Sequence, residues 1–497
     1  MENKEQLELL LQECDKEQLH LCGHVQPFGA LIGVRKSDDI IVYASANTHA
    51  FLHVNPEALL GKSLESFNET LKSFTKVFFA KDPKDKHIYF SINLNEVALD
   101  VKISDANEHL ILEFEYTEAF ENRSNETFQC GIDLLKPPYH TKELPQYYKV
   151  LVKGIFDATH YDRVMLYKFH EDWSGEVISE MTKEGFGSYL GLYFPASDIP
   201  SIARQMYLKN PFRHIADTHA INVPILSLDM STPDLTYSDT RSVSPVHIEY
   251  MKNMGMQGSF STPIIIFGEL WGLIACHNAQ ARYLNVESRR MCRALAHSFA
   301  IGISSFTTNE KLQKLDSADR TLNALMEKVV ASEDVMDGLE AVESSLMYVL
   351  PCDGMSIVVD EKVLSIGDVL LQGELERLDD WFSNTRQESI FSTDAILYSS
   401  VGKLIDSGCI SGVLATKTHT QNGRKVRCYW FRNELKQEIA WAGNPDKPII
   451  ENAGALKLSP RRSFERWIEV KSGYAKTWSG LDTLSAMKLN KTFYRWL

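Results

Sequence analysis

Hydrophobic and polar positions along this chain follow two different periods, and each change of period marks an element. A short apolar run, GALIGV from Gly29, is followed by polar Lys36–Ser37–Asp38–Asp39 and a second apolar run, IIVYAS, which predicts strand, turn, strand. Asn55–Pro56–Glu57 predicts a helix start, with Asn as cap and Pro at the first helical position. Strand-like pieces at 87–93, 97–103 and 110–116 complete a small α+β domain ending near residue 118, and the polar segment 121–126 reads as a linker. Leu144, Tyr148, Leu151, Val152, Ile155 and Phe156 then recur at helical spacing. VMLYKF and GEVISE flank Glu171–Asp172–Trp173–Ser174 as a hairpin, and a later hairpin pairs 259–267 with 270–277 across a Gly268–Glu269 turn. Between the two lies an irregular stretch, roughly 186–239, rich in Pro, Asp, Ser and His. So long an excursion inside a domain is usually functional or disordered.

No proline occurs between Pro263 and Pro351, and Leu295, Phe299, Gly302, Ile303 and Phe306 form an apolar stripe along a predicted helix that starts near Asn285 and Glu287. Leu322, Leu325, Met326, Val329 and Val330 repeat the pattern, so one long helix or two collinear ones link the second domain to a third. An apolar stripe longer than one domain is expected to pair with a copy of itself. The third domain, about 320 to 497, repeats the helix-then-sheet order and breaks it with an aromatic hairpin. Tyr429–Trp430–Phe431–Arg432 runs out and Ile439–Ala440–Trp441–Ala442 starts back. With few partners in their own domain, these aromatics are expected to dock on a neighbour.

A length of 497 residues suits roughly three domains of ~100–200 residues each. The 44% hydrophobic and 24% charged composition is that of a folded globular protein. A net charge of −14 argues against nucleic acid and anionic membrane as partners. The eight cysteines are scattered without CxxC or zinc-ligand spacing, which fits a reducing cytoplasm and no metal site. The acidic start lacks the pattern of a secretory signal, and no apolar run approaches the ~20 residues that span a bilayer.

Candidate chemistry gathers in the second domain. Phe194–Pro195–Ala196–Ser197–Asp198–Ile199–Pro200 sets a carboxylate between two prolines, where the backbone is fixed, with Arg204, Tyr207 and Arg213 following. On spacing alone, Ser197–Asp198 reads as a helix cap ahead of Pro200. Arg241–Ser242–Val243–Ser244–Pro245–Val246–His247 precedes a helical Ile248–Glu249–Tyr250. His277 ends the apolar strand LWGLIACH, where a ring must find a partner, and a core histidine bonded to backbone is the simpler account. Ser259 and Ser261 alternate on one face of the partner strand. Together with Tyr167, Phe194, Tyr207 and Tyr250, the set suits a large flat ligand bearing carboxylates.

FPASDIP, SVSPVHIEY followed by NMG, LWGLIACH, and Pro460–Arg461–Arg462–Ser463–Phe464 together resemble the signature motifs of phytochromes, in family order. Cys14, followed by Leu21, Gly23 and Gln26–Pro27–Phe28–Gly29–Ala30, resembles the attachment segment of bacteriophytochromes. The resemblance implies an α+β fold of three consecutive domains, each with a central antiparallel sheet and joined by long helices. Residues 1–28 would be an N-terminal segment threaded through the second domain as a figure-of-eight knot. PAS would then occupy 29–118, GAF 127–308 and PHY 309–497, with a tongue hairpin at about 425–468 contacting GAF.

It further implies a red/far-red photoreceptor with one biliverdin per chain, attached by Cys14 through a thioether. Arg213 and Arg241, with Ser259 and Ser261, would hold the propionates. Asp198 and His247 would sit by the pyrrole nitrogens, with Ile199, Pro200 and Ser244 close by, and His277 would bond the D-ring carbonyl. Tyr167, Phe194, Tyr207 and Tyr250 would wall the rings, and Arg461, with Ser463, would reach from the tongue to Asp198. A carboxylate at Asp198 favours a protonated pigment. Glu13 and Asp15 flank Cys14 and give its thiol no activation.

Two positions depart from the family pattern: Cys22, where relatives carry a small residue or proline, and Phe28, where histidine is common. A phytochrome attaching a reduced bilin would carry cysteine just before the GAF histidine, where this chain has Val246. A cyclic-nucleotide GAF sensor would leave Cys14 and the aromatic hairpin unexplained, and an enzyme would use Asp198 and His247 as acid and base. No ATP lid or GGDEF-like stretch occurs, so the expectation is a cytoplasmic, non-enzymatic sensor module, homodimeric through its long helices, whose output domain or response regulator is not identifiable.

Overall fold

The computed structural model describes residues 18–82, 84–117, 125–385, 387–406, 408–445, 449–452, 455–458 and 463–497. It divides into two compact units, Met1–Phe306 with Ala440–Trp467, and Thr307–Ile439 with Ile468–Leu497. Among the described residues, no helix is long and apolar enough to cross a membrane.

The first unit begins with β1 (His24–Val25), β2 (Gly29–Arg35), β3 (Ile41–Ser45), helix α1 (Glu69–Phe79), β4 (His87–Leu94), β5 (Val97–Ala106) and β6 (His109–Tyr116). Period-two alternation gives this sheet two unlike faces. Leu110, Leu112 and Phe114 of β6 join Ile88, Val101 and Ile103 in an apolar core. Glu113 and Glu115, with Lys102 opposite Glu113, occupy the other face and are also buried, at 1%, 2% and 3% exposure.

The second domain contains α2 (Leu144–Thr159), β7 (Arg163–Phe169), β8 (Gly175–Thr182), β9 (Tyr193–Phe194), α3 (Ser201–Lys209), β10 (Arg213–Ile215), β11 (Val223–Ser227), α4 (Pro245–Asn253), β12 (Gly258–Ile266) and β13 (Glu269–Asn278). β11 leaves its own domain and completes the first sheet, whose order is β1-β11-β3-β2-β6-β5-β4. The β12–β13 hairpin forms as predicted, but Phe267 and Gly268 take the turn, both at positive φ (54° and 83°), one residue earlier than expected. Two left-handed residues are what a tight right-twisted hairpin requires.

A single helix, α5, runs Val286–Val330. Its start uses the predicted residue, with the Ser288 amide donating to Asn285 Oδ1 at 2.9 Å. The expected self-pairing stripe is otherwise engaged. Leu295, Phe299 and Ile303 pack into the second domain's core, and Leu322, Leu325, Met326 and Val329 into that of the second unit.

The second unit holds β14 (Gly354–Val359), β15 (Lys362–Gly367), α6 (Gln372–Thr385), β16 (Ile390–Thr393), β17 (Ile410–His419), β18 (Lys425–Asn433) and α7 (Gly480–Trp496), in a sheet ordered β15-β14-β18-β17-β16. Here the reading of the aromatic hairpin needs correction. Tyr429, Trp430 and Phe431 lie on the central strand of this sheet, each 0% exposed, and dock on no neighbour. A central strand is buried on both faces, so its continuous apolar run signals depth. The returning strand is shared out differently, with Ala440–Ala442 belonging to the first unit. Trp441 of β19 (Gln437–Ala442) pairs with Tyr193, and β22 (Arg466–Lys471) follows β19 at the edge of the β10-β12-β13-β7-β8-β9 sheet, after a ribbon of β20 (Ile449–Asn452) and β21 (Ala455–Leu458).

Candidate functional site

One face of the second-domain sheet carries the candidate residues, and strand register decides which. Ser259 stands opposite His277, Ser261 opposite Arg213, and Tyr167 opposite Leu273, so all share a face with Ala275 between them. The intervening Phe260, Ile274, Cys276 and Leu166 point the other way into the core under α2 and α5. A strand that is apolar on one side and carries Ser, His and Arg on the other needs polar company there. The irregular excursion predicted at 186–239, with α4 after it, supplies that company.

Arg213 donates from Nη2 to the Ser242 carbonyl at 2.8 Å, while its Nη1 is buried without a hydrogen-bond partner. Burial, reinforced by nearby Arg241, pushes its pKa down to about 9. Arg241 is 6% exposed and, among the described residues, its guanidinium reaches the Leu235 carbonyl, at 3.4 Å, and the Met206 sulfur, at 3.9 Å. Burial lowers its pKa as well. Neither guanidinium meets a carboxylate among the described residues. Tyr207 and Ser261 share a hydroxyl–hydroxyl hydrogen bond of 2.7 Å beside them.

At the opposite end, His247 stacks on Tyr250 with ring centroids 6.0 Å apart. The Tyr250 hydroxyl donates to Asp198 Oδ2 at 3.1 Å. Asp198 ends a 3-10 turn, Ala196–Asp198, while Pro200 is the N-cap of α3 and makes no side-chain cap bond, so the helix-cap reading of Ser197–Asp198 fails. Ile199 links the two, and its carbonyl accepts from Arg204 Nη1 at 2.6 Å, which makes Arg204 a clamp on the turn. Ser244 precedes Pro245 at the start of α4.

Burial, then Arg213, holds the His247 pKa at about 4, and burial, then Arg163 and His247, holds that of His277 at about 3, so both rings are neutral near pH 7. His277 Nδ1 is buried without a partner. Phe194 packs 5.9 Å from the Tyr167 ring, and Tyr167 lies so close over Gly175 that a Cβ there would fall 1.8 Å from the phenol carbon.

Ser463 is exposed, with its hydroxyl 3.4 Å from the Glu465 amide. Cys14 and Arg461 lie outside the described residues. Phe28 packs on His214 and Tyr283 at 5.2 and 5.6 Å, and the Cys22 thiol donates to the His24 carbonyl.

Buried polar atoms are rarely left without partners. Here an imidazole nitrogen and a guanidinium nitrogen stand without one on a single sheet face, between aromatic walls, and Arg213 and Arg241 meet no anion among the described residues. The arrangement fits a flat ligand with acceptor oxygens at both ends and a negative charge at the Arg213–Arg241 end. Among the described residues, no cluster of His, Cys, Asp or Glu is placed to hold a metal ion.

Sequence reasoning missed Arg163, which is buried opposite His277, 3.2 Å from Glu180 and 3.9 Å over the Tyr189 ring. It also missed the charged face of the first sheet. Position in a strand gave no signal for either.

Family models described as "PAS fold", "GAF domain" and "Phytochrome region" match residues 14–117, 143–303 and 318–497. Cyanobacterial phytochrome B of Nostoc sp. is 32% identical over 96% of this chain and 65% of its own length. The bacteriophytochrome of Pseudomonas aeruginosa is 31% identical over 96% of this chain and 66% of its own length. The chain thus spans just under two thirds of those relatives. Two solved structures, each 28% identical and aligned over 97% of this chain, superpose with TM-scores of 0.84 and 0.82. They are a bacteriophytochrome from R. palustris, covered over 98% of its chain, and the Stigmatella aurantiaca phytochrome photosensory core module, covered over 97%.

Proposed function

The chain is a PAS–GAF–PHY photosensory module of the phytochrome family, and from that premise we propose that it is a cytoplasmic red/far-red photoreceptor holding one biliverdin in the second domain. The observation that carries the reading is the pair of buried arginines, Arg213 and Arg241, without an anion between them. When bound, the pigment supplies the light absorption and the double bond whose isomerisation starts the signal.

The chain's own residues do the rest. Arg213, Arg241, Ser259 and Ser261 hold the propionates, and neutral His277 offers a ring nitrogen to the D-ring carbonyl. Asp198 and His247 face the pyrrole nitrogens, and Asp198 as a carboxylate favours their protonated form. Tyr167, Phe194 and Tyr207 wall the rings and exclude water. Cys14 is the attachment thiol, consistent with Val246 standing where a reduced-bilin phytochrome would carry cysteine. The interlocked N-terminal segment belongs to the same reading, supported by His24 and Val25 pairing with Pro224 and Val223.

The route outward starts at Tyr250. Its hydroxyl holds Asp198, and its ring meets Phe464 edge-on at 5.3 Å. Release of Asp198 from Tyr250 would free the segment that carries Phe464 to change conformation, a two-state element of the kind a downstream partner reads. Pairing with a second copy would draw on exposed Ile301 and Leu312 of α5, at 53% and 59%.

A red/far-red difference spectrum of the biliverdin-assembled protein tests the reading. Reversible photoconversion is expected in the wild type, and Asp198→Ala is expected to keep pigment yet fail to reach a stable far-red state. Absence of pigment uptake by the wild type would reject the proposal.

A further inference from the structure

The first domain's sheet turns a charged face toward the loop that carries Arg241, and nothing in the chemistry above uses it. Its centre is Glu113 on β6. Four groups donate to this carboxylate: the Ser238 hydroxyl at 2.6 Å, the Asp239 amide at 3.0 Å, the Thr240 amide at 2.8 Å and the Thr240 hydroxyl at 2.5 Å. Ser238 Oγ in turn accepts the Arg241 amide at 2.9 Å. Three consecutive backbone amides, 239 to 241, therefore end on one PAS carboxylate or on the hydroxyl it orients.

Lys102, opposite Glu113 on β5, pairs with buried Asp239, and the Tyr89 hydroxyl donates to the same carboxylate at 3.0 Å. Burial alone would raise the Asp239 pKa, but Lys102 and Arg289 outweigh it and keep the group ionised. From the other side, Gln26 Nε2 donates to the Arg241 carbonyl at 3.2 Å. A buried ionic cluster of this kind adds little net stability but fixes geometry.

We propose that Glu113 is a positioning residue of the bilin pocket: by holding residues 238–241 from the first domain, it sets where the Arg241 guanidinium meets the ligand's carboxylate. The inference rests on the photoreceptor reading for the identity of the ligand, while the clamp itself is a property of the chain alone. A replacement by Gln puts an amide N–H against at least one of the four donors, so the clamp must open somewhere.

The test uses the full chain. Hydrogen exchange of the pigment-free protein is measured at Asp239, Thr240 and Arg241 in the wild type, Glu113→Gln, Ser238→Ala and Glu115→Gln. Biliverdin is then added, and the assembly rate and absorption band are followed. Glu113→Gln is expected to exchange about tenfold faster at all three amides and to assemble about tenfold more slowly, with a broadened band. Ser238→Ala is expected to speed exchange at Arg241 alone and to slow assembly about threefold, which decides the matter even if the Gln variant does not fold.

Glu115→Gln disturbs the neighbouring Arg289 pair, which reaches Asp239 only at 4.0 Å, and removes none of the donors to Glu113, so it should leave exchange at Thr240 and Arg241 at wild-type values. Unchanged exchange in the first two variants overturns the clamp. Faster exchange with wild-type assembly and spectrum overturns the link to the pocket. Failure of the wild type to take up biliverdin overturns the ligand reading, and the exchange data still judge the clamp.

Discussion

Both units of this chain bury arginines beside a central antiparallel sheet, but two of those in the first unit are treated unlike the rest. In the second unit, Arg427 meets Asp379 at 2.6 Å, and the Tyr429 hydroxyl donates to the same carboxylate. Arg432 meets Asp482 at 3.1 Å and lies 3.8 Å over the Trp478 ring. Each cation there has its anion built in. In the second domain, Arg213 and Arg241 have carbonyls, a sulfur and hydroxyl neighbours, but meet no carboxylate among the described residues. Desolvating a cation without an anion is costly, so a fold that does it twice in one pocket is shaped for a charge arriving from outside.

Removing an anion should separate the two regions most. Asp379→Ala is expected to lower unfolding stability by about 3 kcal/mol, with or without biliverdin, because Arg427 is left charged and mostly dry; urea titration of the pigment-free protein measures it. Arg213→Met should do the reverse. Pigment-free stability is expected to hold within about 1 kcal/mol or rise, while biliverdin affinity falls roughly 10- to 100-fold through loss of a charge-assisted contact. A stability loss matching that of Asp379→Ala would break the comparison.

The smallest effect concerns acid. His247, held at about 4, and His277, at about 3, stay neutral in the folded state while the unfolded chain protonates them near 6.5. Between pH 6.5 and 4 the unfolded state therefore binds more protons, and stability falls as pH falls. His247→Gln should relieve roughly 2 kcal/mol of that loss at pH 5 and leave stability at pH 8 nearly unchanged.

Much of this was legible in the sequence wherever alternation and motif agreed. Ser259 and Ser261 were placed on one strand face by their alternation, and register sets His277 of the partner strand opposite Ser259. The long helix was legible from its stripe, whose residues pack into two cores. Tyr429–Trp430–Phe431 misled, because an aromatic run reads alike whether it is a central strand or an exposed hairpin, and only the flanking β14 and β17 decide. Glu113 and Glu115 gave no signal at all. Their alternation with Leu112 and Phe114 is what a solvated strand face would show, and no local pattern records that a loop some 125 residues later will cover it.

β11 has a consequence for how the chain is made. Ile225 pairs with Ser45, so the first sheet receives its second strand about 180 residues after β3 is synthesised. At ribosomal speeds of ~5–20 residues per second, that is a wait of roughly 10–40 s with the β3 edge unpaired. The exposed edge is a template for pairing with other nascent chains, and the long loop must close before any contact rewards it. Birth of this protein is therefore its most aggregation-prone moment, and maturation runs backward along the chain: the GAF insertion finishes the PAS domain that preceded it out of the ribosome.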